Sequence, residues 1–264
     1  MPIETDTKMT ELKEFSTEEL KLSTGFHPRI LIQGMPGSGK TTLINTFPGQ
    51  KLVIDIKGNP ESLTGYKNIQ VLSVKEPEAD LAYGWLLAEQ ARKRVFELCE
   101  ENPPSCIVVD TLTGLSEIAM NRVMLMDSKR SSPMGTPTQH HYMGLQMMVV
   151  RYITSLFALN CSIICIGHED FQKNERTGAW VWLPLLTGKQ RTSIPTEFTE
   201  VYGTIQKEEE GKTKYFLLTS GDEDRPHLKS TMNQMGRYWN GPQEPNLRKL
   251  LVKRFGEEEV KTLE

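Results

Sequence analysis

From residue 29 onward, short apolar runs alternate with longer stretches of helical period. Arg29–Gln33, Lys51–Asp55, Cys106–Asp110 and Ser162–Gly167 are brief, continuous and rich in Ile and Val, the pattern of buried strands. Between them, Lys40–Thr46, Asp80–Glu100, Leu112–Met126 and His140–Leu159 predict helices. The last sets Leu145, Met148, Val149, Tyr152, Ile153 and Leu156 on one face, a period of about 3.6. Strands alternating with helices imply an α/β fold with a mostly parallel sheet covered on both sides. After Gly167 the pattern predicts two β-hairpins in the C-terminal half. One pairs Phe171–Arg176 with Ala179–Leu185 around Thr177-Gly178, and the other pairs Glu200–Lys207 with Lys214–Thr219 around Glu208–Gly211.

Polar and charged texture divides the chain into three. Residues 1–25 carry six acidic residues and three lysines with little apolar period, and read as an acidic arm with a short surface helix around Ser16–Leu22. Residues 26–224 form the core. Residues 225–264 form a Pro/Gly-punctuated tail that closes in a basic helix, Leu247–Phe255. At about 150 residues per domain, 264 residues suit one large domain or one with an appendage. The absence of a long apolar run and of a signal-peptide pattern gives a cytoplasmic expectation, with no membrane partner. Cys99, Cys106, Cys161 and Cys165 lie mostly in apolar segments and read as reduced thiols. With 31 Lys+Arg against 34 Asp+Glu, charge alone does not coat this protein on a polyanion, so any polyanion site is local.

Such a site is written at Gly34-Met-Pro-Gly-Ser-Gly-Lys-Thr41, a full G-x-x-x-x-G-K-[ST] motif lying directly after a strand and before a helix. Glycines let successive backbone N–H groups turn toward phosphate oxygens, and the following helix adds its positive end. Gly34, Pro36, Gly37, Ser38, Gly39, Lys40, Thr41 and Thr42 are the expected nucleotide-binding residues. Lys40 reaches the β- and γ-phosphates, and Thr41 ligates Mg²⁺. Ser105-Cys-Ile-Val-Val-Asp110-Thr111 supplies an apolar strand ending in Asp110, the expected second Mg²⁺ ligand. ATP and Mg²⁺ are the expected cofactors; no Asn-Lys-x-Asp stretch supports a Ras-type GTPase.

Gly34–Thr41 combines with Val53-Ile-Asp55, Val108-Val-Asp110-Thr111, Ile164-Cys-Ile-Gly-His168-Glu169 and Gly188-Lys189. In this combination the chain resembles the phage nucleotide-binding ATPases, short RecA-like proteins of the Sak type that also go under the general heading of AAA-family ATPases. The resemblance runs from about Arg29 to Thr219. It implies a RecA-like P-loop NTPase core, ATP hydrolysis, and single-stranded DNA annealing or recombination in phage replication, hence in the host cytoplasm. It also implies a homo-oligomer, ring or filament, with a single-strand-binding protein as a candidate partner.

Family logic puts a catalytic carboxylate at the end of the strand Lys51–Asp55. Here the stretch is Asp55-Ile-Lys57, with lysine where RecA-type enzymes carry glutamate. The base is then Asp55, Glu61 or Glu169, or hydrolysis is slow. His168 stands where RecA-type proteins sense the γ-phosphate. Cys161, Cys165 and His168 are too few for a closed zinc site.

Two loops offer cations to single-stranded DNA: Lys129 and Arg130 in Asp127–Gln139, and Lys173, Arg176, Lys189 and Arg191 in Asp170–Pro195. Trp180 and Trp182 share a face, which suits packing into the core or a neighbouring subunit somewhat better than base stacking. Arg225 and Lys229 resemble cations that RecA-type subunits project onto a neighbour's γ-phosphate, although a plain surface cation fits them equally. Two functions therefore stand open: a RecA-like ATPase acting on single-stranded DNA, and a nucleotide-gated assembly module with little hydrolysis.

Overall fold

A computed structural model describes residues 21–23, 25–56, 60–75, 83–130, 135–173 and 178–264. Nearly all of the acidic arm, together with Lys57 and Arg176, lies outside them. The element order is β1 (Arg29–Gly34), α1 (Lys40–Ile44), β2 (Lys51–Asp55), β3 (Ile69–Ser73), α2 (Tyr83–Glu101), β4 (Cys106–Asp110), α3 (Leu112–Met126) and α4 (Gln139–Leu156). It continues with β5 (Ser162–Lys173), β6 (Trp180–Pro184), α5 (Gln190–Ser193), β7 (Glu200–Glu209), β8 (Lys212–Leu218), β9 (Lys229–Ser230), α6 (Leu247–Phe255) and α7 (Glu257–Lys261).

The sheet runs β3-β2-β4-β5-β1-β7-β8. Its pairs are parallel from β3 through β7, while β8 and β9 run antiparallel to β7, and β6 to β5. This is the expected α/β class. Alternating side chains divide between two cores: along β1, Leu31 joins Trp85, Leu115, Val149 and Tyr152 under the α2–α3–α4 layer. Ile30 and Ile32 join Leu43, Phe47, Leu250 and Val260 under α1, α6 and α7. The predicted face of α4 is the buried one: Leu145, Val149, Tyr152, Ile153 and Leu156 are buried, and Met148 packs at their margin.

Three local outcomes differ from the sequence pattern. β5 continues to Lys173 instead of stopping at Gly167, because β6 takes over its pairing from Glu169 onward just where β1 and β4 end. His168 and Glu169 are therefore mid-strand residues rather than strand ends. The second hairpin closes tightly at Glu210-Gly211, both with positive φ (54° and 71°), so the strands absorb half of the expected loop. That is the geometry of a two-residue turn matched to strand twist. The short β3, β9, α5 and α7 were not foreseen. Among the described residues, no helix is long and apolar enough to cross a membrane.

Parallel pairing brings the C-terminal ends of β1, β2, β4 and the middle of β5 to one edge. Asp55 is in register with Asp110, Asp110 with Ile166, and Gly34 with His168. Ligands of open α/β sheets bind at such an edge.

Candidate functional site

The loop after β1 is held by a strand far away in sequence. Ser38 Oγ lies 2.7 Å from Thr204 Oγ1 of β7, and that hydroxyl donates to the Gln33 carbonyl at 3.2 Å. A Cβ on Gly34 would fall 2.3 Å from Thr204 Oγ1 and 2.7 Å from Ser38 Oγ, so only glycine fits there. Gly37 and Gly39 turn the loop through the left-handed region, at φ 77° and 84°. Tyr215 of β8 lies alongside: a Cβ on Gly39 would touch its ring at 3.5 Å.

Lys40 is buried, and its ammonium curls back to donate 2.8 Å hydrogen bonds to the Gly34 and Met35 carbonyls. Burial pushes the ammonium down to about 8, against the pull of the Asp110 and Glu169 carboxylates. Thr41 Oγ1 donates to Asp110 Oδ2 at 2.9 Å. Burial raises the Asp110 carboxyl above its ordinary range, the Thr41 bond and Lys40 oppose that, and Asp55 beside it adds to the rise. A hydroxyl and a carboxylate in direct contact are hard oxygen donors of the kind Mg²⁺ takes.

These groups border a cavity of about 320 Å³, lined by Gly37, Gly39, Lys40, Thr41, Thr42, Asp110, Thr111 and His168, with Pro36, Ile166 and Ser62. Lys40, Thr41, Asp110 and His168, predicted from three separated segments, thus converge. Thr111, the residue after Asp110, caps α3 by accepting from the Gly114 N–H at 2.9 Å. Ser62 was missed, as was Thr204; a partner 166 residues away leaves no local trace in sequence.

The three candidate bases separate. Asp55 is buried beside Asp110, and Glu61 is exposed. Glu169 sits on the sheet face opposite His168 and is held by Arg225, whose Nε reaches its two oxygens at 3.2 Å each and whose Nη2 reaches Oε2 at 3.1 Å. Burial raises the Glu169 carboxyl and the Arg225 guanidinium opposes the rise. The expectation that Arg225 projects toward a neighbour is corrected here: a buried carboxylate demands a counter-ion, and Arg225 turns inward to be it. Lys229 is half-buried in β9, paired with Val201 of β7, and is no free loop cation either.

Of the cations expected at DNA, Lys129, Lys173 and Lys189 are exposed. Arg191 bonds the Gln172 side chain and the Gly188 carbonyl, tying α5 to β5. Nothing is described of the Arg130 side chain or of Arg176. The aromatic residues on the β5–β6 ribbon form a row. Phe171 stacks on Trp180 (centroids 5.4 Å, planes 22° apart) and tilts against Trp182 at 5.0 Å. Phe171 and Trp180 remain about half exposed, at 46% and 56%.

A family model described as an AAA domain matches residues 27–226. No curated protein matches the chain. One similar solved structure is that of the KaiC-like protein PH0186 from the hyperthermophilic archaeon Pyrococcus horikoshii OT3, at 9% identity and a TM-score of 0.42, covering 72% of this chain and 77% of that one.

Proposed function

The chain belongs to the AAA domain family, and from that premise we propose that it binds ATP with Mg²⁺, hydrolyses it, and acts on single-stranded DNA. The observation that carries the reading is the convergence of Lys40, Thr41, Asp110 and His168 on one cavity at the strand ends.

Lys40 offers its ammonium to the β- and γ-phosphates once it leaves the loop carbonyls, and the N–H groups around Gly37 and Gly39 receive phosphate oxygens. Thr41 and Asp110 would hold Mg²⁺, which when bound supplies charge neutralisation between the β- and γ-phosphates. With Glu61 exposed and Glu169 tied to Arg225, Asp55 is the carboxylate that takes the proton of the attacking water as ADP leaves. His168 lines the same cavity and would sense the γ-phosphate there. The exposed stack of Phe171 and Trp180, with Lys173 and Lys189 nearby in sequence, supports single-strand binding: aromatic faces take bases and cations follow the backbone. ATP turnover measured with and without single-stranded DNA tests the whole; absence of DNA binding at low salt, where electrostatic affinity is greatest, ends the DNA part.

A second reading, a nucleotide-gated assembly module with little hydrolysis, draws support from the locked Glu169–Arg225 pair. It expects oligomers that form with ATP and vanish in Lys40→Ala; brisk turnover by the isolated protein dismisses it.

A further inference from the structure

Arg225 touches three strands at once. Its guanidinium grips Glu169 of β5 and lies 5.1 Å from the Trp182 ring of β6. Its side chain also crosses β7, where a Cβ on Gly203 would meet its Cδ at 3.4 Å. The loop that carries it is pinned to the same ribbon, because Trp182 N–H donates to the Asp224 carbonyl at 2.8 Å while Asp222 Oδ1 accepts from Arg225 N–H at 2.6 Å. Beyond Trp182 the aromatic contacts run on to Phe171 and then to exposed Trp180.

The other end of this chain of contacts reaches the phosphate loop. Glu169 directly follows His168, which lines the nucleotide cavity, and its carboxylate lies within the field of the Lys40 ammonium. Gln33, the residue before the loop, hydrogen-bonds Glu169 and also contacts His227, three residues before Ser230 of β9. Glu169 is 3% exposed, and charges at such depth respond strongly to a neighbouring polyanion.

We propose that the Glu169–Arg225 pair carries the occupancy of the phosphate loop to the aromatic row Trp182–Phe171–Trp180, with Arg225 as the positioning residue between them. The inference rests on the nucleotide reading above. A bound triphosphate draws the Lys40 ammonium off the Gly34 and Met35 carbonyls and weakens its pull on the Glu169 carboxylate. The carboxylate then leans more heavily on Arg225, with Gln33 the lesser partner; the guanidinium re-seats, and the ring it covers moves with it. A ligand shifts an equilibrium only through such a difference in interaction between two states. The surface affected is the one whose aromatic faces suit unpaired bases, so nucleotide state sets how that surface is presented.

The test uses full-length protein labelled with fluorotryptophan, whose Trp182 fluorine resonance is identified by its loss in Trp182→Phe. A non-hydrolysable ATP analogue with Mg²⁺ is the probe, and its affinity is measured separately by fluorescence titration. The expected result is a Trp182 shift at saturation in the parent protein. Arg225→Lys, which keeps the charge but not the fork or the stacking, should bind the analogue within about threefold of the parent and show less than half the shift. Arg225→Gln should show none; if it fails to fold, Arg225→Lys decides. A Trp182 resonance unmoved in the saturated parent, or moved equally in both variants, overturns the inference. No analogue binding by the parent instead fails the nucleotide reading, and the inference falls with it.

Discussion

Thr41 Oγ1 donates its proton to Asp110 Oδ2 across 2.9 Å, joining the two residues from which a Mg²⁺ site would be built. Burial pushes Asp110 upward, and the Thr41 hydroxyl and the Lys40 ammonium hold against that rise, so a cation bound between the two oxygens would add to a counter-charge already in place.

Asp110→Asn should therefore lower ATP turnover by roughly 100-fold or more. It should also erase the difference in nucleotide affinity between Mg²⁺ and EDTA, as measured by calorimetric titration. Full turnover in this variant would remove Asp110 from the site.

Lys40 predicts a pH dependence. In the folded protein its ammonium titrates at about 8, against 10.5 for an ordinary lysine. Between these values the unfolded chain holds more protons than the folded one, so the cost of burying Lys40 is present below about pH 8 and relieved as pH rises toward 10.5. Nucleotide binding runs the opposite way because it needs the charged form. Apparent Kd should weaken by up to about tenfold per pH unit above pH 8, with proton uptake visible as buffer-dependent heat. An affinity that is flat from neutral pH to well above 8 would contradict the arrangement.

Two glycines with positive φ separate space from conformation. Gly49 (φ 74°) would place a Cβ 1.8 Å from the Leu263 carbonyl and 2.0 Å from Ser105 Oγ, whereas Gly65 (φ 91°) faces open space. Gly49→Ala should cost about 3 kcal/mol or more in urea unfolding through overpacking and strain. Gly65→Ala should cost only about 1–2 kcal/mol, the backbone term alone. Equal costs would show that the contact of Leu263 with this turn is unimportant.

Trp180 is exposed and stacked, so Trp180→Ala should leave the melting temperature nearly unchanged. If bases stack on the row, single-strand affinity should fall by about 1–3 kcal/mol in the same variant. Lys173→Ala should weaken binding evenly across sequences and reduce the salt slope by about one. Unchanged affinity in both variants would move the DNA contact elsewhere.

Much of this protein is legible in its sequence because its strongest signals are local. The phosphate loop needs glycines at fixed spacing, and buried parallel strands need unbroken apolar runs, so β2, β4, α3 and α6 fall at their predicted bounds. Asp110 was found because a strand end and a loop motif qualify each other. Arg225 was misread for the opposite reason: its partner Glu169 is 56 residues away, and a cation in a polar loop looks the same whether it faces water or a buried carboxylate. The Ser38–Thr204 contact and the Lys51 ammonium, which caps the Phe47 and Gly49 carbonyls from within the core, are likewise products of folding rather than of pattern. β3 was missed because an edge strand is only half-buried and carries a weaker apolar run.

Strand β7 has a mechanical consequence. Its first half, Glu200–Thr204, is clamped within the sheet, and its second half runs out with β8 as a solvent-exposed ribbon. At about 3.3 Å per residue the free part reaches roughly 17 Å to the Glu210-Gly211 tip. It is a cantilever whose root residue, Thr204, also holds Ser38 of the phosphate loop. Load applied at the tip is borne at that root, so a cross-link or a gripping neighbour there pulls on the strand against which the nucleotide loop is braced.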